Sequence, residues 1–394
     1  MKENDRWLLP EGIEEVLPPQ ARQLEAMHRG LLDLYDSWGY ELVMPPFIEY
    51  LESLLTGTGH DLDLQTFKLT DQLTGRLMGV RADMTPQVAR IDAHHLQNET
   101  PARLCYMGTV LHTRADDFAG SRSPLQVGAE LYGHAGIESD IEILSLMVET
   151  LRQSNIDDVF IDIGHVGIYR GLVKQAGLDE ARQDALFDAM LRKSRPDMHE
   201  LFKHWSLDAA VANKFLALSE LSGDEGILQE AKKLLKGGDA SVMAAIDYLQ
   251  NMSDMLQQHL PGLALHFDLA ELRGYNYHTG VVFAAFVPGH GQAIAKGGRY
   301  DDIGHVFGQA RPATGFSTDL KTLFNLSSQE TSQASAIFAP GETAAAGLNE
   351  KIRELRSNGE RVICHLPGQA GDARSMGCDR QLVNNKGQWQ LEPV

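Results

Sequence analysis

Two short segments concentrate the residues best suited to chemistry. Residues 272–278 read Leu-Arg-Gly-Tyr-Asn-Tyr-His, and residues 296–301 read Lys-Gly-Gly-Arg-Tyr-Asp. Arginine, tyrosine and histidine at such close spacing suit either a binding pocket or a satisfied interior. Arg273 reads as a ligand cation or as a structural ion-pair partner. Tyr277 reads as a pocket wall or as a core aromatic with its hydroxyl satisfied. Other signals are weaker. His94 and His95 are adjacent on a predicted helix, and neighbours in sequence do not share a helix face, so no metal is expected there. Gly57-Thr58-Gly59 lacks the Lys-Ser/Thr that completes a phosphate-binding P-loop. Cys105, Cys364 and Cys378 are widely spaced, with no CxxC, so neither a zinc ribbon nor a disulfide framework is suggested.

The elements that must position these groups can be read along the chain. Its 394 residues, 43% of them hydrophobic, suffice for one large domain and one or two smaller ones. With 35 basic against 54 acidic residues the net charge is −19, which disfavours broad contact with phosphate backbones. The first residues have no apolar signal-like region and no run of 18 apolar residues occurs, so a cytoplasmic location is expected, with no membrane span. Leu24, Met27, Leu31, Leu34, Tyr35 and Trp38 recur at helical spacing before Gly39, which suits a helix C-terminus. An extended run follows to Pro45-Pro46. Thr85-Pro86 reads as a cap and first turn of a helix to about Leu96. Strands are predicted at 104–107, 125–132, 159–163, 263–269, 280–287 and 292–295, with a helix over 139–151. Residues 165–260 read as a mostly helical insertion. Residues 327–335 are small and polar, a linker inside an otherwise regular chain. The tail, 336–394, offers a strand–helix–strand unit and a hairpin over Asn384–Gly387.

This order resembles the catalytic domain of class II aminoacyl-tRNA synthetases, an α+β fold in which an antiparallel sheet is flanked by helices. The resemblance covers about residues 8–323, within an expected domain of 1–326. Leu8-Leu-Pro-Glu-Gly12 and Leu17-Pro18 resemble the N-terminal lead-in of histidyl-tRNA synthetases. Residues 39–46 resemble class II motif 1, which implies a two-fold homodimer. Residues 104–133 stand in the place of motif 2, and 313–323 in that of motif 3. The two opening segments resemble the pair that lines the histidine pocket. The resemblance then implies that Asp83, Thr85 and Gln126 hold the α-ammonium, that Glu130 accepts an imidazole N–H, and that Arg273 meets the carboxylate. It implies that Tyr275, Tyr277 and Tyr300 frame the ring. His278 stands where the family usually has a tyrosine, and Asp83 shortens the usual acid by one methylene.

The nucleotide positions depart from the family. In Gly108-Thr-Val-Leu-His-Thr-Arg114, His112 stands for the arginine that grips the α-phosphate and Arg114 for the glutamate after it. At the end of motif 3, Asp319, Lys321 and Thr322 replace a glycine, an acid and the arginine that clamps the γ-phosphate. Adenylate formation needs fixed cations on a polyphosphate, and losing one such group typically costs ~2.7–4 kcal/mol in the transition state. No catalytic residue and no cofactor is therefore expected.

Residues 56–71 and 81–90 resemble a synthetase paralogue family, the regulatory subunits of ATP phosphoribosyltransferase. That resemblance implies a non-catalytic chain, homodimeric within a hetero-oligomer, which activates the short catalytic subunit and confers feedback inhibition by free histidine in histidine biosynthesis. Two alternatives stand beside it: an active or degenerate histidyl-tRNA synthetase, and a stand-alone histidine-binding protein. The tail disfavours tRNA. It is too short for a full anticodon-binding domain, and Lys351, Arg353 and Arg356 alternate with Glu350 and Glu354 as on a solvated helix face.

Overall fold

A computed structural model describes residues 7–56, 60–97, 99–115, 120–272, 275, 277–308, 310–327, 335–341 and 347–394. The chain divides into two units, Met1–Ser328 and Gln329–Val394. The strands of the first unit are β1 (Glu41–Leu42), β2 (Ile48–Tyr50), β3 (Phe67–Thr70), β4 (Leu77–Val80), β5 (Ala102–Thr109), β6 (Leu125–Tyr132), β7 (Phe160–His165), β8 (Ser222–Gly223), β9 (Ala264–Asp268), β10 (Val281–Phe286), β11 (Ala295–Arg299) and β12 (Ala313–Asp319). Nine of them form one sheet in the order β1-β5-β6-β12-β11-β10-β7-β9-β8. Its centre, β5 through β7, is antiparallel. The β1–β5 and β7–β9 pairings are parallel, so the sheet is mixed rather than antiparallel throughout. A second sheet, β2-β4-β3, stands beside it.

The alternation in β6 explains how this sheet carries a site. Val127, Ala129 and Leu131 join the main apolar core with Tyr35 and Leu31 of helix Gln20–Ser37 and with Ile143 and Met147 of helix Ile137–Gln153. Gln126, Gly128 and Glu130 point to the other face, because strand side chains alternate. Burying the apolar row supplies roughly 1.5–3 kcal/mol per large side chain, which holds the strand in register. Helix Gln20–Ser37 ends before Gly39 at φ +79, a left-handed conformation that glycine adopts without strain.

Two local expectations change. Thr85 does not cap its helix: Thr85–Ile91 makes no side-chain cap bond, and the Thr85 hydroxyl instead meets the Tyr106 hydroxyl at 2.9 Å. The next five residues, Asp92–Leu96, form a π-helical turn. The strand expected at 292–295 lies at Ala295–Arg299. Glycines usually weaken a strand. Here a Cβ on Gly297 would meet the Gly315 carbonyl at 2.3 Å and the Phe283 ring at 2.5 Å, so only glycine fits.

Between β7 and β9 run six helices, from Val166–Ala176 to Ala240–His259, interrupted by the short β8. The expected linker, 327–335, lies outside the described residues from 328 to 334. The second unit holds β13 (Ile337–Ala339), β14 (Val362–Cys364), β15 (Arg380–Asn385) and β16 (Gln388–Pro393) in the order β14-β13-β15-β16. Helix Leu348–Ser357 buries Leu348, Ile352 and Leu355 against it. Lys386 and Gly387, at φ +53 and +90, close the β15–β16 hairpin. No described helix is long and apolar enough to cross a membrane.

Candidate functional site

Glu130 is the centre of the site. It is 1% exposed, and its carboxylate lies flat across β12, where a Cβ on Gly315 would come within 1.5 Å of Oε2. Tyr106 of β5 donates to Oε1 at 2.9 Å, and Tyr300, just after β11, donates to Oε2. Burial pushes the Glu130 carboxyl up to about 8, against the pull of the Tyr300 and Tyr106 hydroxyls. Glu130 is thus an acid that holds its proton near neutral pH.

Around it the polar groups are fixed in place. Gln126 donates to Asp83 Oδ1 at 2.7 Å and accepts from the Met84 amide at 2.9 Å. The Thr85 amide also donates to Asp83 Oδ1, at 2.9 Å. Tyr277 stacks on Tyr300 with ring centroids 4.9 Å apart, and its buried hydroxyl has no partner among the described residues. His278 meets the Tyr277 ring edge-on at 5.4 Å and lies over Gly298, whose added Cβ would stand 2.7 Å from the imidazole. Asp83, Thr85, Gln126, Glu130, Tyr277, His278 and Tyr300 are thus gathered on one side of the sheet. Tyr275 is not with them. Its ring packs on Tyr169 and Phe187 of the helical insertion at 5.1 and 5.3 Å, beneath the Arg170 guanidinium. Arg273 lies outside the described residues.

A cavity of about 630 Å³ adjoins Asp83 and Gln126 and continues past His112, Ser317, Asp319 and Thr322. The polar groups at its nucleotide positions are used up internally. His112 donates from Nε2 to the Ala82 carbonyl at 2.9 Å. Asp319 caps helix Leu320–Leu326, accepting from Lys321 N and Thr322 N, and from the Thr322 hydroxyl at 2.8 Å. Lys321 Nζ donates to the Ser123 carbonyl at 2.8 Å. Arg114 is exposed at the surface. Among the described residues lining this cavity, Lys296 is the one lysine or arginine. A triphosphate needs several fixed cations, and this wall does not supply them.

Four contributors were not read from the sequence. Tyr106 was legible only as part of a strand, and Lys296 only as a neighbour of the glycines. Arg299 does not face the cavity: it donates from Nε and Nη2 to Asp140 Oδ2, at 3.1 and 2.9 Å, and from Nη2 to Ser139 Oγ at 2.7 Å. Asp140 completes that knot. As for metals, Asp162, Asp268 and Glu271 bring carboxylate oxygens within 4.8 Å of one another. His266 and Lys193 already engage Asp162 and Asp268, both at 2.8 Å, so the cluster reads as an ion-paired sheet edge.

The likenesses to other proteins agree with this geometry. Residues 12–323 match the family model for histidyl-tRNA synthetase, and residues 334–392 match that for the ATP phosphoribosyltransferase subunit HisZ C-terminal domain. The chain is 61% identical over 393 residues to the ATP phosphoribosyltransferase regulatory subunit of Thioalkalivibrio sulfidiphilus, covering 99% of each chain. It is 55% identical to that of Pseudomonas aeruginosa strain LESB58, covering 99% of this chain and 98% of the relative. A crystal structure of an ATP phosphoribosyltransferase regulatory subunit/histidyl-tRNA synthetase from Bacillus halodurans C superposes with a TM-score of 0.83 at 26% identity, over 95% of this chain and 97% of that one. Histidyl-tRNA synthetase from Nostoc sp. PCC 7120, at 19% identity and a TM-score of 0.77 over 96% and 91% of the two chains, shares the fold. Full-length likeness, a synthetase fold and a spent nucleotide wall meet in one assignment: the chain belongs to the ATP phosphoribosyltransferase regulatory subunits, a histidyl-tRNA synthetase-like family of histidine biosynthesis.

Proposed function

We propose that this chain binds free histidine around Glu130 and passes that binding to a short-form ATP phosphoribosyltransferase catalytic subunit, which it also activates. The carrying observation is a buried carboxyl, Glu130 held between Tyr106 and Tyr300, beside a cavity in which His112 and Thr322 stand where the phosphate-gripping arginines are expected. The imidazole N–H meets Glu130, the ring lies by Tyr277 and Tyr300, and the α-ammonium meets Asp83 with Gln126. Feedback then requires that histidine bind the inhibited arrangement of the complex more tightly than the active one. A coupling of about 1–3 kcal/mol gives a 5- to 150-fold effect.

Two measurements test this. Calorimetric titration of histidine into the full chain should give saturable binding, and ATP–pyrophosphate exchange with histidine should be absent. Added to the short catalytic subunit, the chain should raise turnover, and histidine should lower it. Robust exchange would restore the synthetase reading. Lack of co-elution with the catalytic subunit would favour a stand-alone binding protein.

A further inference from the structure

This inference rests on the histidine reading; Arg273, which the resemblance sets against the ligand carboxylate, lies outside the described residues, and the one described lysine or arginine lining the cavity with Asp83 and Gln126 is Lys296. An α-amino acid brings an ammonium, a carboxylate and a side chain. Asp83 and Glu130 answer two of them. We propose that Lys296 takes the carboxylate and so makes the pocket select an amino acid over its uncharged analogues.

The sheet register places it. Glu130 pairs with Gly315, which pairs with Gly298; one step of two residues along β11 is Lys296, which pairs with Ser317, itself opposite Gly128. Residues two apart on a strand share a face, so Lys296 and Glu130 rise from the same side of the sheet. Their strands, β11 and β6, are separated only by β12. That puts the two backbones about 9–10 Å apart across the sheet, with a flexible four-carbon stem on the lysine to shorten the gap. The intervening row is low. Gly128, Gly298 and Gly315 let Tyr106, His278 and Glu130 lie against the backbone, since a Cβ at any of the three would strike them. On β12 the side chain between the two on this face is the small Ser317, which lines the same cavity as Lys296.

The lysine is also available. It lines the cavity that holds Asp83 and Gln126, and it lines a second one, about 300 Å³, with His278, Asp162 and Glu271. It is exposed, and its ammonium makes no hydrogen bond or ion pair among the described residues. Three nearby acids are occupied: Asp83 by Gln126 and the Thr85 amide, Asp319 by its helix and the Leu125 amide, Asp162 by His266. On a chain with 54 acidic and 35 basic residues, a lysine that lines two cavities and is unpaired among the described residues is suited to hold an anion.

The test compares histidine with histidinol, which carries a hydroxymethyl group in place of the carboxylate. Both are titrated calorimetrically into the wild-type chain, Lys296→Met and Lys296→Arg. The wild type should prefer histidine. Lys296→Met should lose about tenfold or more in histidine affinity, the worth of one charged hydrogen bond, with little change for histidinol. Lys296→Arg should keep the preference. A Lys296→Met chain that retains the wild-type ratio overturns the assignment and leaves the pocket reading intact. A wild-type chain that binds no histidine overturns both.

Discussion

At the scale of single residues, a carboxyl walled in by two tyrosines sets how the site answers pH. Free imidazole titrates near 6.5. Burial pushes Glu130 to about 8. Between those values Glu130 carries a proton and the ligand ring is neutral. Below about 6.5 the ring arrives charged and a proton must leave; above about 8 Glu130 is ionised and accepts the neutral ring's N–H with no proton exchanged. Histidine affinity should therefore fall by up to about tenfold per pH unit below about 6.5 and rise as Glu130 ionises, because a charged acceptor makes the stronger hydrogen bond. Calorimetry between about pH 5.5 and 9 checks this. Above about pH 8 Glu130→Gln should bind more weakly by about 1.5–3 kcal/mol and lack the alkaline rise, because an amide does not titrate. A variant that keeps that rise would place the titrating group elsewhere. The unliganded chain has its own signature. The Glu130 value is raised above the ordinary 4.5, so its stabilising protonation is complete below that value and is lost as pH rises through about 8. The thermal midpoint should decline over that interval in the wild type and less so in Glu130→Gln.

At the scale of elements, the site depends on how helices clamp β11. Asp140, fully buried on helix Ile137–Gln153, holds Arg299 at the end of β11 and accepts from Tyr248 of helix Ala240–His259. Arg299 immediately precedes Tyr300, which grips Glu130. Asp140→Ala strands a buried guanidinium and should cost about 3–5 kcal/mol of stability, whereas Tyr248→Phe removes one hydrogen bond and should cost about 1 kcal/mol. Denaturant unfolding measures both. Histidine affinity should fall in Asp140→Ala only; unchanged affinity there would show that the knot does not position Tyr300. These same elements show what the sequence could disclose. Val127, Ala129 and Leu131 alternate with Gln126, Gly128 and Glu130, so β6 and its polar face were legible to the residue. One face packs on the apolar core and the other carries polar residues and glycine, which leaves a two-residue period that local pattern captures. The start of β11 was not legible, because its glycines look like a loop until Phe283 and Gly315 are seen to fill the space beside them. Nor could Leu272–His278 say which tyrosine faces Glu130. That choice is made by Tyr169 and Phe187 of the insertion, which take Tyr275 and leave Tyr277. Thr85 reads as a cap locally, but Tyr106 competes for its hydroxyl. Lys296 opens the Lys-Gly-Gly-Arg-Tyr-Asp segment, but only the register places it on the face of Glu130.

At the scale of the molecule, the sheet ends in a way that calls for a second copy. β1 is only two residues long and is the terminal strand beyond β5. The segment that follows it exposes Met44 at 81% and Phe47 at 45%, and the small sheet beside it exposes Ile48, Leu69 and Leu77. Apolar side chains scattered singly need no explanation, but several on adjoining strands next to an open sheet edge mark an interaction surface. Residues 39–46 are also the segment that resembles the class II dimer motif, so the occupant proposed is the same face of another copy, in a two-fold contact. A charged residue at its centre should then be intolerable to the dimer and harmless to the fold, since Met44 is already mostly in solvent. Met44→Asp should halve the mass seen by light scattering at micromolar concentration, with circular dichroism unchanged. Met44 is not among the residues placed around Glu130, so the Met44→Asp monomer should still titrate with histidine. Its capacity to raise the activity of the catalytic subunit should drop if the larger assembly is built from such dimers. A wild-type chain that runs as a monodisperse monomer would remove the dimer, and a Met44→Asp chain that remains dimeric would move the contact away from this edge.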